Sequence, residues 1–432
     1  MLYHAYELNH AAVAPLRQMV DFNRRVYLSP YNPVSYTWTG KNISAACDLF
    51  EAITRRYDKP EWGLDQTVIN GKDVPVTPRV VWEKPFARLI HFERDAKAKA
   101  KAVAKDHVDP RVIIAAPLSG HYATLLRGTV EAFLPDHEVY VTDWADAREV
   151  PLSAGRFDLN DYIDYIMEML EAVGPQAHVV GICQPGPPVL CAISVMSENK
   201  SKYLPASMTF MGSPIDTRLS PTVPNKIAEE RSFDWFKENM IYSVPWPNKG
   251  VMRRVYPGFL QLGGFITMNR DRHVNAHHEY FNHLVEGDDD SAKRHEEFYD
   301  EYLAVLDLTE EFYLQTIKDI FQEHKIPDGK FMHRGQLVKP SAIKDVALMT
   351  VEGEKDDISG IGQTQAAHDL CTGIPENMQR DYIQPGVGHY GVFSGSRFRT
   401  EIQPRMKEFM REYLDVKKEQ AFQKKNSHLI HS

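Results

Sequence analysis

Ala177-His178-Val179-Val180-Gly181-Ile182-Cys183-Gln184-Pro185-Gly186 is an apolar, β-like run ending in a cysteine held between small or kinked residues. The pattern reads as a strand entering a sharp turn and then a helix, a geometry that lifts one side chain clear of a sheet as a nucleophile. Residues two before and two after it must be small, because other backbone passes close to them. Gly181 meets that need. Pro185 stands at the second position, where a helix first turn tolerates a missing N–H. Pro187 and Pro188 lie deeper, where proline clashes with the preceding turn, so the helix is expected to start late or distorted. A cysteine after a buried strand also serves as a plain core residue. Cys183 therefore needs partners elsewhere in the chain.

A chain of 432 residues is long enough for one large domain or a domain with an insertion. The net charge of −9 argues against a general nucleic-acid binder. Cys47, Cys183, Cys191 and Cys371 are widely spaced and form neither a disulfide framework nor a zinc motif, which suits a reducing compartment. Met1-Leu2-Tyr3-His4-Ala5-Tyr6-Glu7 has neither a basic nor an apolar leader region, and no stretch has the length of a membrane span. A cytoplasmic, soluble protein, or one docked on an intracellular surface, is expected.

Working outward from Cys183, strand and helix patterns alternate on both sides. Upstream stand the strand Val112 to Ala116, a helix through about Phe133, the strand Glu138 to Asp143 and the helix Leu159 to Ala172. Downstream comes the strand Ala206 to Met211. Such alternation predicts an α/β fold with a mostly parallel sheet covered by helices on both faces. Before it lie a helical segment broken between Tyr27 and Trp38, an Asn70-Gly71 hairpin, a strand over Val80 to Phe92 and an Ala- and Lys-rich connector helix over Asp95 to Lys105. Residues 214–340 interrupt the rhythm, and it resumes with the strand Val346 to Val351, a helix over about Thr364 to Cys371 and the strand Asn377 to Ile383. The expected organisation is a helical segment over 1–60, a core over 61–213 and 341–415, an insertion over 214–340 and a basic tail over 416–432 that frays.

Chain order then singles out two partners. Asp356 follows the strand beyond the insertion, with Asp357 in reserve, and His389 follows the last strand in a loop with two glycines and a proline. Nucleophile, acid, histidine is the order of the α/β-hydrolases. A carboxylate there can fix the imidazole tautomer. A cysteine beside a histidine at a helix amino end is expected to form its thiolate readily. Attack on an ester carbonyl creates an oxyanion that needs N–H donors. Gln184 N–H is one, and Leu118 or Ser119, after the first long strand, supplies the second; Ser119 is either a further hydroxyl donor or a plain turn residue.

Four stretches carry a family likeness: Pro117-Leu118-Ser119-Gly120-His121-Tyr122-Ala123-Thr124-Leu125-Leu126-Arg127, Tyr140-Val141-Thr142-Asp143-Trp144, Gly181-Ile182-Cys183-Gln184-Pro185 and Gly388-His389-Tyr390-Gly391-Val392-Phe393-Ser394-Gly395. They resemble the intracellular polyhydroxyalkanoate depolymerases, most of all the poly(3-hydroxybutyrate) type, from Met1 to the final helix. The resemblance implies an α/β-hydrolase with Cys183, Asp356 and His389 as its triad, cleaving storage-polymer esters on granules inside a bacterium. It implies the granule or its short oligomers as partner, allows a homo-oligomer, and calls for no nucleic acid, membrane span, metal or cofactor. The related synthases share the three residue types but are generally longer, with a glycine-flanked cysteine box from which Gln184-Pro185 departs. Polymer synthesis, transfer of the acyl group to coenzyme A and non-catalytic granule coating are the alternatives. Within the insertion, read as a cap, Trp235, Phe236, Tyr242, Trp246, Met252, Tyr256, Phe259 and Phe265 either line a cleft for an apolar polyester or form the insert's own core.

Overall fold

The computed structural model describes residues 2–104 and 107–426, the last four of them by backbone alone. Two helices, α1 (Leu2–Leu28) and α2 (Trp38–Thr54), pack on one another. Thr37 starts α2 by accepting the Gly40 N–H. Strands β1 (Gln66–Ile69) and β2 (Lys72–Lys84) form the hairpin expected from Asn70-Gly71, whose φ values of 50° and 74° give the turn that suits strand twist.

The single strand expected over Val80 to Phe92 is in fact two. The chain turns at Pro85-Phe86 and returns as β3 (Ala87–Arg94), antiparallel to β2. Proline presets a turn φ, and the Phe86 ring buries against Phe157 at 4.9 Å between centroids. The connector helix is α3 (Ala96–Ala102), and Lys105 of that stretch lies outside the described residues.

Alternation runs through β4 (Arg111–Ala115), α4 (Arg127–Phe133), β5 (Glu138–Trp144), α5 (Leu159–Val173), β6 (His178–Ile182), α6 (Gly186–Glu198) and β7 (Ser207–Met211). The helix after Cys183 starts neither late nor distorted. Pro187 and Pro188 follow Gly186 in the first turn, where N–H groups have no intrahelical partner to lose, and the first helical bond is Val189 N–H to the Pro185 carbonyl.

The interrupting segment is mainly helical. It holds α7 (Val223–Glu230), α8 (Phe233–Asn239), α9 (Gly258–Met268), α10 (Arg270–Glu286), α11 (Asp289–Tyr302) and α12 (Glu310–Thr316), the last continued by a π-helical turn over Ile317–Gln322. Three short strands, β8 (Tyr242–Ser243), β9 (Arg254–Tyr256) and β10 (Leu308–Thr309), make a small separate sheet, and β11 (Met332–His333) and β12 (Gln336–Leu337) a hairpin. The core then resumes with β13 (Ala347–Gly353), α13 (Ala366–Leu370) and β14 (Gln379–Gln384). It closes with α14 (Gly395–Arg397), α15 (Gln403–Glu412) and α16 (Val416–Asn426).

The main sheet runs β1-β2-β3-β5-β4-β6-β7-β13-β14, parallel from β5 to β14. Every residue of β4, β6, β7 and β13 is buried, as in a sheet covered on both faces. Alternate residues enter two separate cores: Ile113, Val179 and Phe210 on one face, Val112, Val180 and Met211 on the other. This is the α/β-hydrolase architecture, with the inserted segment between β7 and β13. The tail departs from expectation. Instead of fraying, it forms α16, because Arg111, buried at the start of β4, takes Glu419 as counter-ion at 2.6 and 2.8 Å and stacks on the Phe422 ring. Residues 427–432 of that tail lie outside the described residues.

Candidate active site

Cys183 has φ +64°, the left-handed region that costs a branched or bulky side chain energy and favours glycine. Its N–H is tied to the Met211 carbonyl at 2.8 Å and its carbonyl to Gly186 N–H at 3.1 Å, which hold the strained turn. Close approach falls on Gly181 and Gly186: a Cβ on Gly181 would lie 3.2 Å from Phe210, and one on Gly186 would lie 2.3 Å from Ser213. The position after the turn that had to be small is therefore Gly186, one residue beyond Pro185.

The loops after β13 and β14 bring the other two residues to this turn. His389 Nδ1 donates to Asp356 Oδ2 at 2.8 Å, and the ring and Cys183 open on the same cavity, close enough for the sulfur to act on the ring's charge. Asp356 Oδ1 accepts the N–H groups of Ile358 and Ser359 at 2.9 and 2.8 Å, so both oxygens are fixed. Asp357 is exposed and makes no such pair. Burial disfavours a charged His389, but the Cys183 sulfur and the Asp356 carboxylate outweigh it and hold the imidazolium well above the usual histidine range. Gly212, directly after β7, was not foreseen from sequence. Its φ is +55°, and a Cβ there would come within 3.1 Å of the His389 ring and 3.2 Å of Asp356. A glycine just past a buried strand, in Met211-Gly212-Ser213-Pro214, was the available signal.

Of the three expected oxyanion donors, two are free. Gln184 N–H and the Ser119 N–H and hydroxyl have no hydrogen-bond partner among the described residues. Leu118 N–H does not fit the expectation, because it donates to Gln184 Oε1 at 3.2 Å. The loop is pinned from the inserted segment: Leu306 N–H donates to the Gly120 carbonyl at 2.7 Å and His121 Nε2 lies 3.0 Å from the Tyr302 carbonyl.

Cys183, Gln184, Leu118, Ser119 and His389 open on one cavity of about 230 Å³. Its walls are apolar, and the cap aromatics named from sequence mostly stand elsewhere. Of the eight named, only Tyr256 and Phe265 line it. Trp235 packs with Phe236 on the insert's own core. Tyr242 packs beside Val244 and Val255, Phe259 stacks on Tyr6 at 4.1 Å, and Trp246 is 83 % exposed. An insert of this size needs a core of its own, and Trp235 and Phe236 contribute to it. The lining comes instead from Tyr122, Phe312, Tyr313, Phe321, Tyr390 and Phe393. Phe321 lies in the π-helical turn after α12, a distortion frequent at functional sites.

Among the described residues no helix is long and apolar enough to cross a membrane. Residues 212–414 match the family described as PHB de-polymerase C-terminus. A search of curated proteins returned no match. Similar solved structures include a monoglyceride lipase variant from Saccharomyces cerevisiae (12 % identity, TM-score 0.43, 83 % of this chain and 98 % of that one). Another is a putative lipase from Acinetobacter baumannii AYE (12 % identity, TM-score 0.41, 78 % and 93 %). Likeness at that level carries no argument beyond what the sheet order already shows. The sheet order is that of the α/β-hydrolase fold, and the segment from Gly212 to Leu414 is similar to the PHB de-polymerase C-terminus family.

Proposed function

We propose that the protein hydrolyses the ester bonds of intracellular poly(3-hydroxybutyrate) through a Cys183-His389-Asp356 triad and releases 3-hydroxybutyrate or its short oligomers. The observation that carries this reading is a cysteine on a strained turn, sharing an apolar cavity with an imidazole that a buried carboxylate orients. The Cys183 sulfur attacks the ester carbonyl carbon, a C–S bond forms, and the carbonyl oxygen becomes an oxyanion facing Gln184 N–H and Ser119. As the intermediate collapses, the ester C–O bond breaks and His389 passes its proton to the departing alkoxide. Water, deprotonated by His389, then attacks the thioester. The C–S bond breaks, thiolate and imidazolium are restored, and a carboxylic acid leaves.

Granule association is supported by an apolar face on the amino-terminal helices rather than by the cap aromatics. Leu8, Leu16, Met19, Phe22 and Val26 stand exposed along α1, with Trp38, 75 % exposed, at the start of α2. A contiguous apolar face of this kind marks a surface that meets another apolar one. The deciding assay incubates the protein with amorphous and crystalline polymer granules and identifies soluble products, with and without a thiol-alkylating reagent. Cys183→Ala is expected to lower product release by at least about 10³-fold while granule binding persists. Unchanged release would remove the catalytic reading, and polymer growth from a hydroxyacyl-thioester would replace it with synthesis.

A further inference from the structure

Helix α9 is a wall shared by two cavities. Gln261 and Phe265 face the cysteine cavity, whereas Leu262 and Ile266 face a second one of about 340 Å³, closed on its other sides by α1 and the carboxyl end of α2. His10, Arg17, Arg55, Arg56 and Arg148 line this second cavity, and no aspartate or glutamate does. Three of the arginines are neutralised from outside it. Arg55 pairs with Asp300, Arg56 with Glu7 at 2.6 Å, and Arg148 with Asp146 at 3.0 Å.

Arg17 has no carboxylate partner among the described residues. Its guanidinium donates to the Thr54 and His10 carbonyls, capping the last turn of α2, and meets His10 Nδ1 at 3.2 Å. Those contacts use three of five N–H groups and leave the charge uncompensated. Because a guanidinium can only donate, His10 Nδ1 accepts and the ring proton sits on Nε2, a further donor. Burial, then Arg56 and Arg17, lower the His10 pKa, as an unbalanced positive field would. An uncompensated cation in a cleft with low-dielectric walls concentrates anions. Leu262 and Ile266 of α9, with Val305, give the cavity an aliphatic wall, and Val13 lies between His10 and Arg17 on α1.

We propose that this cavity binds a short-chain aliphatic carboxylate, its carboxylate on Arg17 and His10 and its chain against α9. The anion site stands on its own residues. Only the naming of a hydroxy acid, the class that ester cleavage next door would release, rests on the reading of the cysteine site.

The test is isothermal titration calorimetry on the full chain after Cys183 has been alkylated, so that the first cavity is blocked and no turnover occurs. The probes are 3-hydroxybutyrate and inorganic phosphate. Saturable binding of one 3-hydroxybutyrate per chain is expected, about tenfold or more weaker in Arg17→Leu, which loses a charge-assisted bond. Since Arg17 also caps α2, Leu262→Trp is measured beside it. That change fills the cavity from α9 without touching the cap, and is expected to abolish binding with the fold intact by circular dichroism. Absence of saturable binding, indifference to both changes, or phosphate binding as tightly as the carboxylate would overturn the proposal. Activity of the unmodified enzyme on polymer is read separately, so failure of the depolymerase reading leaves this result interpretable.

Discussion

At the scale of single residues, the strain at Cys183 and the charge around His389 do most of the chemical preparation. The imidazolium is held up by two neighbours, so removing one has a defined sign. Asp356→Asn keeps the shape of the partner but not its charge, and kcat/KM is expected to fall about 10³- to 10⁴-fold. The alkaline limb of the pH–rate profile should move to lower pH, because the imidazolium then loses its proton more easily. A limb that stays in place would show that Asp356 does not act on the ring. Gln184 has a second role to test. Its backbone N–H has no partner among the described residues while its side chain occupies Leu118 N–H, so the side chain either holds the Leu118 loop in place or withholds a donor. Gln184→Met removes the acceptor without adding charge, and a kcat about tenfold lower at little-changed KM is expected if it holds the loop. A higher kcat in that variant would show that glutamine masks Leu118.

At the scale of elements, α6 is tolerant where proline was expected to harm it and intolerant at Gly186. Its three prolines fall before or within the first turn, where no intrahelical bond is lost. Gly186, by contrast, lies against Ser213, and Ser213 cannot retreat, because its N–H is fixed to Thr364 Oγ1 at 2.7 Å. Gly186→Ala is expected to cost about 1–3 kcal/mol by overpacking, read as a lower midpoint in chemical denaturation. A midpoint equal to wild type would show that β7 and α6 can part without cost. Helix α6 was legible in the run itself, but its start was not. Whether a proline harms a helix depends on which turn it occupies, and that is set by where the strand before it ends.

At the scale of the whole molecule, a buried polar cluster ties three regions together. Tyr3 of α1 donates to Asp307 at 2.5 Å, Gly258 N–H at the head of α9 donates to the same carboxylate at 2.9 Å, and Asp307 N–H donates to Asp146 at 3.0 Å. Burial, with the Asp146 charge second, raises the Asp307 pKa to about 7. An unfolded aspartate titrates near pH 4. Between about pH 4 and 7 the unfolded chain releases this proton and the folded one keeps it. The group's contribution to stability is thus full below that window and lost as pH rises through it. Raising the pH from about 5 to about 8 is therefore expected to lower the Tm of the wild type more than that of Asp307→Asn. Parallel Tm–pH curves would remove the cluster from the account.

By itself the sequence determined the α/β class and where its strand rhythm breaks, and nominated Cys183, His389 and one of Asp356 and Asp357, because strand periodicity and chain order are local properties that survive without knowledge of packing. Tertiary structure alone decided which carboxylate meets His389, that Leu118 N–H is already taken, and that the tail folds onto Arg111. It also decided which aromatic rings line the cavity. An apolar ring is attracted equally to a substrate or to another ring, so its place follows from which distant segments converge on it. Phe259 belongs to Tyr6, while Phe312 and Tyr313 belong to the cavity beside Cys183.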